Sequence, residues 1–506
     1  MNERRLPSKD IRHAQLIPLV VLLLITFVLH LTGIDRESLW RDEVDSIRFA
    51  ADIWDQVSGG ETIKGMVSEL TSYLTRPGWN GPLYFLALEP WLQAAGQSEL
   101  ALRIPSTLAG LIAVAVSYQL GSHLFGSVTG QLSALFFAVN PYLAWYAGEG
   151  KMYTLITALS LLSTFLLLKA CRSGLTRLWL AYLLITSLLF YTHILTPLLL
   201  PVQASLVLLL EPRAALSRRA LLSAGLLVLP YLPLLIWQWP HLAEKAETGF
   251  PFVPLPAMGM RMGEVISRGV VGWTAKLPLT LLLGAMGLGL SLSPASLNRR
   301  WARLRAGLGL VIWAGLPIVE LYLVSLRRPL FTERYLIWIL PAWLILAAGG
   351  LAGLAQRGRI ARLVALGWTA GLVVVGLLGT SRQWGTPLRA DFRSAAALLT
   401  DHYQPDELIV FQIPYLQDTF DYYAPELSYT AAEGPYTNWG NPAEETDTYL
   451  RATTAGYSAV WLVLSEAPMW DARGLTVAWF RDNAQLQSEV TFNRVEVTEW
   501  QLGEGP

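Results

Sequence analysis

Residues 16–33 read LIPLVVLLLITFVLHLTG, eighteen positions without a charged side chain. A helix of about 20 apolar residues spans the hydrocarbon core of a bilayer. Arg4, Arg5, Lys9 and Arg12 precede the run, as basic residues precede the apolar part of a secretory signal peptide. No small-residue cleavage site follows, and many more apolar runs come later. We therefore interpret 16–33 as a retained first transmembrane helix.

Ten further apolar runs follow. They lie at residues 100–121, 128–144, 153–170, 178–192, 194–211, 220–239, 277–294, 306–326, 335–355 and 360–380. The boundary between 178–192 and 194–211 stays open around Tyr191-Thr192-His193. Of the 506 residues, 53% are hydrophobic and 15% are charged, whereas soluble domains carry about 25% charged residues. The sequence predicts a mainly α-helical, polytopic membrane protein with about eleven transmembrane helices.

Lysine and arginine concentrate in every second connection between these runs. Cytoplasmic loops of membrane proteins carry such an excess of Lys and Arg. If the N-terminus is inside, the later inside segments hold Lys169, Arg172 and Arg177, then Arg213, Arg218 and Arg219, then Arg299, Arg300, Arg303 and Arg305, then Arg357, Arg359 and Arg362. Arg327-Arg328 is the main exception outside. We expect a multi-pass protein of the cytoplasmic membrane, with a cytoplasmic N-terminus and an extracytoplasmic C-terminus.

The long predicted outside segments lie at 34–99, at 240–276 and from 381 onward. Within the first of these segments, two stretches have the pattern of amphipathic helices that lie at the membrane interface. They are residues 40–54 (WRDEVDSIRFAADIW) and 63–74 (IKGMVSELTSYL). We predict a transmembrane domain at 1–385, in which 34–99 is the first outer loop.

The tail has a different composition. From residue 390 onward it holds 18 acidic and five basic residues. Its pattern predicts helices at 391–402 and 469–481, strands at 407–413 and 457–464, and a terminal hairpin at 485–502. Strands that alternate with helices are typical of α/β folds. We therefore expect residues 386–506 to form a soluble extracytoplasmic α/β domain.

Charge and cysteine content exclude several classes of function. Lys and Arg together number 38, as do Asp and Glu, so no field attracts nucleic acid. Cys171 is the only cysteine, which excludes an intrachain disulfide and a cysteine-based metal cluster. The single cysteine leaves the redox compartment undetermined, and the low share of charged residues indicates membrane lipids as the surroundings.

Polar residues gather at the predicted outer ends of the spans, where charged groups are costly and indicate function. In Trp40-Arg41-Asp42-Glu43, two adjacent carboxylates would supply a general base, or would only favour a helix N-terminus through its dipole. Arg103, in the first turn of a span, would clamp a phosphate through two parallel hydrogen bonds, or would reach lipid headgroups.

Four other polar segments lie on the same predicted side. They are Asn80–Phe85 with Glu89, Tyr146–Tyr153 with Glu149 and Lys151, His193, and Arg327-Arg328 with Glu333-Arg334-Tyr335. Each also has a structural interpretation: a turn, an interfacial ion pair, a hydrogen-bonded histidine and a headgroup contact. Their common side favours a reaction between a membrane-anchored anionic donor and an acceptor outside the membrane.

In their order, these segments resemble the GT-C membrane glycosyltransferases, and in particular the bacterial branch related to protein O-mannosyltransferases and the aminoarabinose transferase of lipid A. The resemblance spans about 35–400 and rests on Trp40-Arg41-Asp42-Glu43, GPLYFLALEPW (81–91), LALRIPSTLAG (100–110), NPYLAWYAGEGKMY (140–153), FYTHI (190–194), RYLIWILPA (334–342) and Asp391-Phe392-Arg393.

The resemblance implies an inverting glycosyltransferase that takes a sugar from a polyprenyl-phosphate donor at the outer membrane face. It assigns the general base to Asp42 and an orienting or acceptor-binding role to Glu43. Contacts to the donor phosphate are expected from Arg103, Arg334 and Lys151. Contacts to substrate are expected from Glu149, Tyr153, His193 and Tyr84. The acceptor would be a lipid, a glycan or a protein.

Two positions depart from the family pattern. Asn80-Gly81-Pro82 stands where His-Pro-Pro is common, and Lys151 stands where arginine is usual. A lysine offers a point charge instead of a planar fork, so the donor contacts and the acceptor are left in doubt. We infer no metal or cofactor requirement, because arginines can hold a phosphate leaving group.

Two alternatives stay open at this point. A transporter or flippase for a lipid-linked sugar would show an inverted repeat and broken helices at mid-membrane, and the sequence shows no repeat. A non-catalytic assembly subunit would not need Asp42, which is present.

Overall fold

The computed structural model describes residues 9–58, 65, 81–243, 250–271, 276–291, 297–438 and 442–503. The chain divides into two compact units. The first unit comprises Met1–Ile34 and Ala50–Thr386, and the second comprises Asp35–Phe49 and Pro387–Pro506. The second unit thus takes a short stretch from the first predicted outer loop as well as the tail.

The first unit is built from helices. They are α1 (Lys9–Leu31), α2 (Arg41–Ser58, which begins in the second unit), α3 (Pro82–Ala95), α4 (Glu99–Phe125), α5 (Ser127–Ala138), α6 (Pro141–Ala147), α7 (Tyr153–Ser173), α8 (Thr176–Phe190), α9 (Leu199–Leu210), α10 (Pro212–Ala215), α11 (Arg218–Ala243), α12 (Leu255–Arg268), α13 (Leu277–Ser291), α14 (Leu297–Ser325), α15 (Leu340–Ala355) and α16 (Arg359–Gly385). Short 3₁₀ helices at Thr196–Leu198 and Glu333–Ile339 lead into α9 and α15.

The apolar runs of the sequence all overlap helices, which confirms a mainly helical membrane protein. The segments long and apolar enough to cross a bilayer are Glu99–Phe125, Tyr153–Ser173, Trp301–Ser325, Glu333–Ala355 and Arg359–Gly385. Five other apolar helices in the described part of the chain are shorter. The number of eleven crossings therefore stays a prediction.

The structure corrects one predicted span and refines another. The run 128–144 is not one helix, because Asn140 interrupts it and its side-chain oxygen accepts a hydrogen bond from Leu143 N at 3.0 Å, which caps α6. The run 178–211 does divide at Tyr191–Leu195. The predicted amphipathic helix at 40–54 is confirmed as α2, whereas 63–74, apart from Gly65, lies outside the described residues.

Two basic loops that the charge pattern assigns to the inside meet at one end of the bundle. Arg172 Nε, at the end of α7, lies 2.5 Å from Glu211 Oε1, after α9. A Cβ on Gly174 would lie 3.3 Å from an Arg219 guanidinium nitrogen. The 21 residues of α7 extend about 30 Å, so Tyr153, at the start of α7, lies at the opposite end.

A buried polar network ties α7, α8 and α9 together. Gln203 Nε2 donates to Ser163 Oγ at 2.8 Å and to Thr164 Oγ1 at 3.3 Å. Gln203 Oε1 accepts from the Tyr182 hydroxyl at 2.9 Å, and Ser163 Oγ lies 2.7 Å from Thr186 Oγ1. Polar groups at membrane depth must find partners within the protein, so one glutamine satisfies three neighbours.

The second unit is an α/β domain with one five-stranded sheet. Its elements are α17 (Phe392–His402), β1 (Leu408–Phe411), α18 (Leu416–Tyr423), β2 (Ala431–Glu433), α19 (Ala443–Thr454), β3 (Ala459–Leu464), α20 (Leu475–Asn483), β4 (Ala484–Phe492) and β5 (Val495–Leu502). The strand order is β2-β1-β3-β5-β4. β1 runs parallel to β2 and β3, in register Phe411↔Val463, while β5 runs antiparallel to β3 and β4.

Alternating side chains of the central strands divide the core of this unit between the two faces of the sheet. Ile409, Phe411, Trp461 and Val463 pack with α17 and α18 on one face. The intervening residues, with Leu450, Trp479 and Phe480, fill the other. The predicted tail helix, both strands and the terminal hairpin are confirmed, while the region predicted as helix at 469–481 is helical from Leu475.

The stretch Asp35–Phe49 is anchored to the tail by hydrogen bonds. Ser38 Oγ donates to Ala390 O at 2.7 Å. Glu37 Oε2 accepts from the backbone nitrogens of Leu388, at 3.2 Å, and Arg389, at 2.7 Å. Leu39 N donates to the Tyr423 hydroxyl at 2.5 Å. These contacts explain why residues far apart in sequence form one compact unit.

We predict that Gln203→Leu destabilises the first unit. Leucine keeps the volume but leaves the buried hydroxyls of Ser163, Thr164 and Tyr182 with one partner fewer, which costs roughly 1–3 kcal/mol. Thermal unfolding of the purified protein in detergent measures the effect. Ser205→Ala is the control on the same helix, because that exposed hydroxyl bonds only to Pro201 O. Equal melting temperatures for the two variants would contradict the prediction.

Candidate active site

The loop between α6 and α7 supplies three predicted site residues. Glu149, Lys151 and Tyr153 are all buried, with 2%, 4% and 3% of their surface exposed. Their loop returns the chain into the next helix, and Lys151 N donates to Glu149 O at 2.7 Å. Burial of two charged side chains in one short loop is unusual for an interfacial ion pair in water.

Helix α4 fixes this loop through hydroxyl groups. Ser106 Oγ donates to Lys151 O at 2.8 Å, and Thr107 Oγ1 donates to Ala147 O at 2.9 Å. Thr154 Oγ1 donates back to Ser106 O at 2.8 Å. The segment LALRIPSTLAG therefore positions the loop, with its serine and threonine as the groups that touch it.

The start of α3, at Gly81-Pro82-Leu83, meets the turn at Tyr191-Thr192-His193 through backbone hydrogen bonds. Gly81 N donates to Thr192 O at 3.3 Å, and Leu83 N donates to Tyr191 O at 3.0 Å. A Cβ on Gly81 would lie only 2.1 Å from Tyr191 O. The glycine that departs from the family pattern thus permits a close approach that brings α3 to His193.

Tyr84 and Phe85 lie in the first turn of α3 beside this contact, and both are buried. Their rings meet edge to face with centres 5.5 Å apart. Lys151 Nζ lies 5.9 Å from the centre of the Phe85 ring. The predicted substrate residue Tyr84 therefore belongs to the same end of the bundle as Lys151.

Aromatic rings and one arginine complete the cluster. The His193 and Tyr335 rings are centred 5.2 Å apart, and the Tyr153 ring lies 6.4 Å from His193 and 6.5 Å from Tyr335. The Arg334 guanidinium carbon lies 5.9 Å from the Tyr153 ring centre and 5.8 Å from that of Tyr335. Arg334 and Tyr335 are partly exposed, whereas Tyr153 and His193 are buried. A cation held among aromatic rings suits an anionic ligand that brings an apolar chain.

Two residues that the sequence analysis did not single out bind Glu333, the residue before Arg334. The Tyr142 hydroxyl donates to Glu333 O at 2.7 Å. Arg261, on α12, lies with a guanidinium nitrogen 2.8 Å from Glu333 Oε1. Arg261 lies in the long predicted outside segment 240–276, and Arg334 lies in the short outside connection before the run 335–355. Both are basic residues on the side where the charge rule predicts few, so this exception to the rule was a usable signal.

Arg103 is fully buried, and its guanidinium donates to Ile34 O at 2.5 Å. This bond fastens the residues after α1 to the start of α4. The roles of Arg103 and Arg334 toward a donor phosphate stay predictions; the structure shows that Arg103 is fully buried and Arg334 partly exposed.

The two adjacent carboxylates lie in the second unit and have different environments. Asp42 is in the first turn of α2 and is partly exposed. Glu43 is fully buried, with Oε2 at 3.4 Å from an Arg389 guanidinium nitrogen. The Arg41 guanidinium lies 3.5 Å from the centre of the Tyr415 ring. A buried ion pair occupies Glu43, so Asp42 is the carboxylate of this pair that solvent can reach.

We predict that Gly81→Ala destabilises the first unit by about 1–3 kcal/mol, because the added methyl group overlaps the Tyr191 carbonyl and forces two backbones apart. Thermal unfolding of purified protein measures this. Gly315→Ala on α14 is the matched control, because a Cβ there meets nothing within 4 Å. If both variants unfold at the wild-type temperature, the two turns do not need their close approach.

The chain resembles known proteins in sequence and in fold. The family model described as dolichyl-phosphate-mannose-protein mannosyltransferase matches residues 79–237, about a third of the chain. Among curated protein sequences, none matches the chain significantly. Residues 79–237 include the Gly81 turn, Arg103, the loop from Gly148 to Tyr153 and His193, so the matched region covers most of the cluster in the first unit.

Solved structures with similar folds cover nearly the whole chain. ArnT from Cupriavidus metallidurans bound to undecaprenyl phosphate has a TM-score of 0.54 at 14% identity, covering 95% of this chain and 97% of that one. The oligosaccharyltransferase AglB from Archaeoglobus fulgidus, in complex with an inhibitory peptide and a dolichol-phosphate, has a TM-score of 0.56 at 12% identity, covering 97% and 74%.

The arabinofuranosyltransferase AftD from Mycobacteria has a TM-score of 0.51 at 14% identity, covering 98% of this chain and 42% of that one. The comparisons therefore confirm the resemblance that the order of the motifs indicated, and the chain has the GT-C fold of membrane-embedded glycosyltransferases.

Proposed function

We propose that this protein is an inverting glycosyltransferase that moves a sugar from a polyprenyl-phosphate donor to an acceptor at the extracytoplasmic face of the cytoplasmic membrane. The observation that supports this proposal most directly is that the adjacent carboxylates Asp42 and Glu43 differ in burial. Glu43 is buried against Arg389, while Asp42 stays partly exposed at a helix start. A general base must reach the proton that it removes, and Asp42 meets this condition.

In the proposed reaction, Asp42 accepts the proton of an acceptor hydroxyl. The acceptor oxygen then forms a bond to the anomeric carbon from the side opposite the phosphate. The bond between the anomeric carbon and the phosphate oxygen breaks, and polyprenyl phosphate leaves with its electron pair. One bond to the anomeric carbon forms while the other breaks. Because the two oxygens lie on opposite sides of that carbon, this single displacement inverts its configuration.

The donor phosphate is assigned to Arg334, with Lys151 as a second cation. A guanidinium can offer two parallel hydrogen bonds to a phosphate, and its fixed charge would stabilise the charge that develops as the phosphate leaves. Tyr142 and Arg261 hold Glu333 and thereby set the position of the adjacent Arg334. Arg103 stays a proposed contact to the same phosphate, with one guanidinium nitrogen already bonded to Ile34 O.

Tyr153, His193 and Tyr84 are assigned to substrate contacts, and Glu149 to the polar side of the same loop. The rings of Tyr153, His193 and Tyr335 lie within 6.5 Å of one another and offer faces for a sugar ring or a prenyl chain. The proposed partners are a lipid-linked sugar and a lipid, glycan or protein acceptor. The match to a mannosyltransferase family model and the fold shared with ArnT support this class of donor.

We predict that Asp42→Asn lowers sugar transfer from a labelled polyprenyl-phosphate sugar at least about 100-fold, because general bases contribute 10²–10⁴-fold to rates. Asp45→Asn is the control on the same helix, since Asp45 lies 3.5 Å from Arg41 Nε and has no assigned role. Equal transfer by wild type and Asp42→Asn would remove the base. Lipid movement across vesicles without any transfer would point to a transporter.

We predict that Arg334→Gln weakens binding of the same donor about tenfold, which corresponds to the loss of roughly 1.4 kcal/mol of charge-assisted hydrogen bonding. Binding is measured by equilibrium titration of the purified protein with labelled donor. Arg327→Gln, at an exposed arginine seven residues earlier, is the control and should leave the affinity unchanged. An unaltered affinity in Arg334→Gln would exclude this arginine from the donor site.

A further inference from the structure

Three aromatic side chains meet at the carboxyl edge of the sheet in the second unit. Tyr415 follows β1, Tyr436 follows β2 and Trp470 follows β3, so each parallel strand supplies one ring. The Trp470 ring centre lies 4.9 Å from that of Tyr436 and 6.5 Å from that of Tyr415, both edge to face. We call these three residues the aromatic triad. In open α/β sheets, ligands bind beyond the carboxyl ends of the strands.

The loops that bear the triad are fixed to one another. Trp470 Nε1 donates to Gly434 O at 3.3 Å, and Gln412 Nε2 donates to Pro435 O at 3.1 Å. Thr437 and Asp471 are hydrogen-bonded through their side chains. All three rings are partly exposed. A rigid, partly exposed set of rings binds a flat ligand face with little loss of side-chain freedom.

Polar atoms at the same edge lack partners. Gln412 Oε1, directly after β1, and Ser465 Oγ, directly after β3, are buried and form no hydrogen bond within the described part of the chain. Buried polar atoms are normally satisfied by protein, water or ligand. The edge therefore offers hydrogen-bonding capacity as well as ring faces, which is the combination that a sugar with an apolar ring face and hydroxyl groups requires.

The triad adjoins the predicted catalytic dipeptide within the same unit. The Arg41 guanidinium covers the Tyr415 ring at 3.5 Å, and Asp42 is the next residue. A ligand on the triad would thus lie close to the proposed general base. This adjacency assigns the triad to the acceptor.

Charge narrows the class of acceptor. The second unit contains 23 acidic and nine basic residues, a net charge of −14. Like charge disfavours an anionic ligand, especially at short range. The net charge of the unit as a whole therefore disfavours acceptors with phosphate or carboxylate groups relative to uncharged ones, while the charged group that lies on the triad itself is the Arg41 guanidinium.

We propose that the aromatic triad binds an uncharged saccharide, and that the acceptor of this enzyme is a neutral glycan whose hydroxyl group is presented to Asp42. The inference rests on the proposed function for the role of Asp42, but the binding site itself can be tested without any transfer.

The test uses the full chain, purified in a detergent without a sugar headgroup. Neutral trisaccharides of mannose, glucose and galactose, and a trimer of galacturonic acid, are titrated by saturation-transfer NMR and calorimetry. We expect at least one neutral trimer to bind, and the acidic trimer to bind at least about tenfold more weakly. Tyr436→Ala should weaken the neutral trimer about tenfold through the lost ring face.

Tyr449→Ala is the matched control, because Tyr449 is an exposed tyrosine on α19 in the same unit. Trp470→Phe keeps a ring and tests the site if Tyr436→Ala does not fold. The proposal is overturned if no neutral trimer binds, if Tyr436→Ala and Tyr449→Ala bind it equally, or if the acidic trimer binds better.

Asp42→Asn separates this inference from the proposed function. It should retain trisaccharide binding and lose transfer. If Tyr436→Ala weakens trisaccharide binding but Asp42→Asn transfers sugar as the wild type does, the saccharide site is supported and the role of Asp42 as general base is refuted. Transfer that requires Asp42, together with binding that ignores Tyr436, refutes the saccharide site and leaves the glycosyltransferase proposal standing.

Discussion

The hydroxyl groups of α4 that hold the loop between α6 and α7 are the contacts on which the first unit's site depends. Irregular backbone at a membrane boundary is tolerated only where its polar groups find partners in the protein. Ser106 and Thr107 supply those partners for Lys151 and Ala147. Because the loop is fixed, the position of Tyr153 at the start of α7 is fixed as well. The rings of His193 and Tyr335 pack against the Tyr153 ring.

The same principle separates the arginines. Arg103 is fully buried and spends a hydrogen bond on the Ile34 carbonyl, whereas Arg334 stays partly exposed between rings and is positioned through Glu333. Both are arginines at predicted span ends, and only their neighbours in the fold give them different environments. The proposed reaction uses the fixed cations of arginine and lysine side chains to hold the donor phosphate.

Charge is distributed between the two units in opposite senses. The second unit carries a net charge of −14, so the first carries +14 in a chain whose total is zero. Basic residues suit helix ends that face anionic lipid headgroups. The acidic second unit includes Asp42, and it holds that residue beside an aromatic triad. The net negative charge of this unit is one ground of the proposal that the acceptor is neutral.

Much of this architecture is readable in the sequence. Apolar run length predicts membrane helices because lipid cannot satisfy backbone groups, and the short apolar runs at 407–413 and 457–464 predict buried strands. The order of short polar motifs indicates the GT-C fold. The reason for a glycine at residue 81 is not readable in the sequence. It becomes clear only in the structure, where a Cβ at this position would meet the Tyr191 carbonyl.

Only the tertiary structure decided which of the candidate side chains are buried and which are partly exposed. It paired Glu43 with Arg389, 346 positions away, and left Asp42 partly exposed. It joined Asp35–Phe49 to the tail and gathered three rings from three separate loops. Local patterns fix the type of each element because they act over a few residues. Burial and ion pairing depend on which distant segments meet, and no local pattern contains that information.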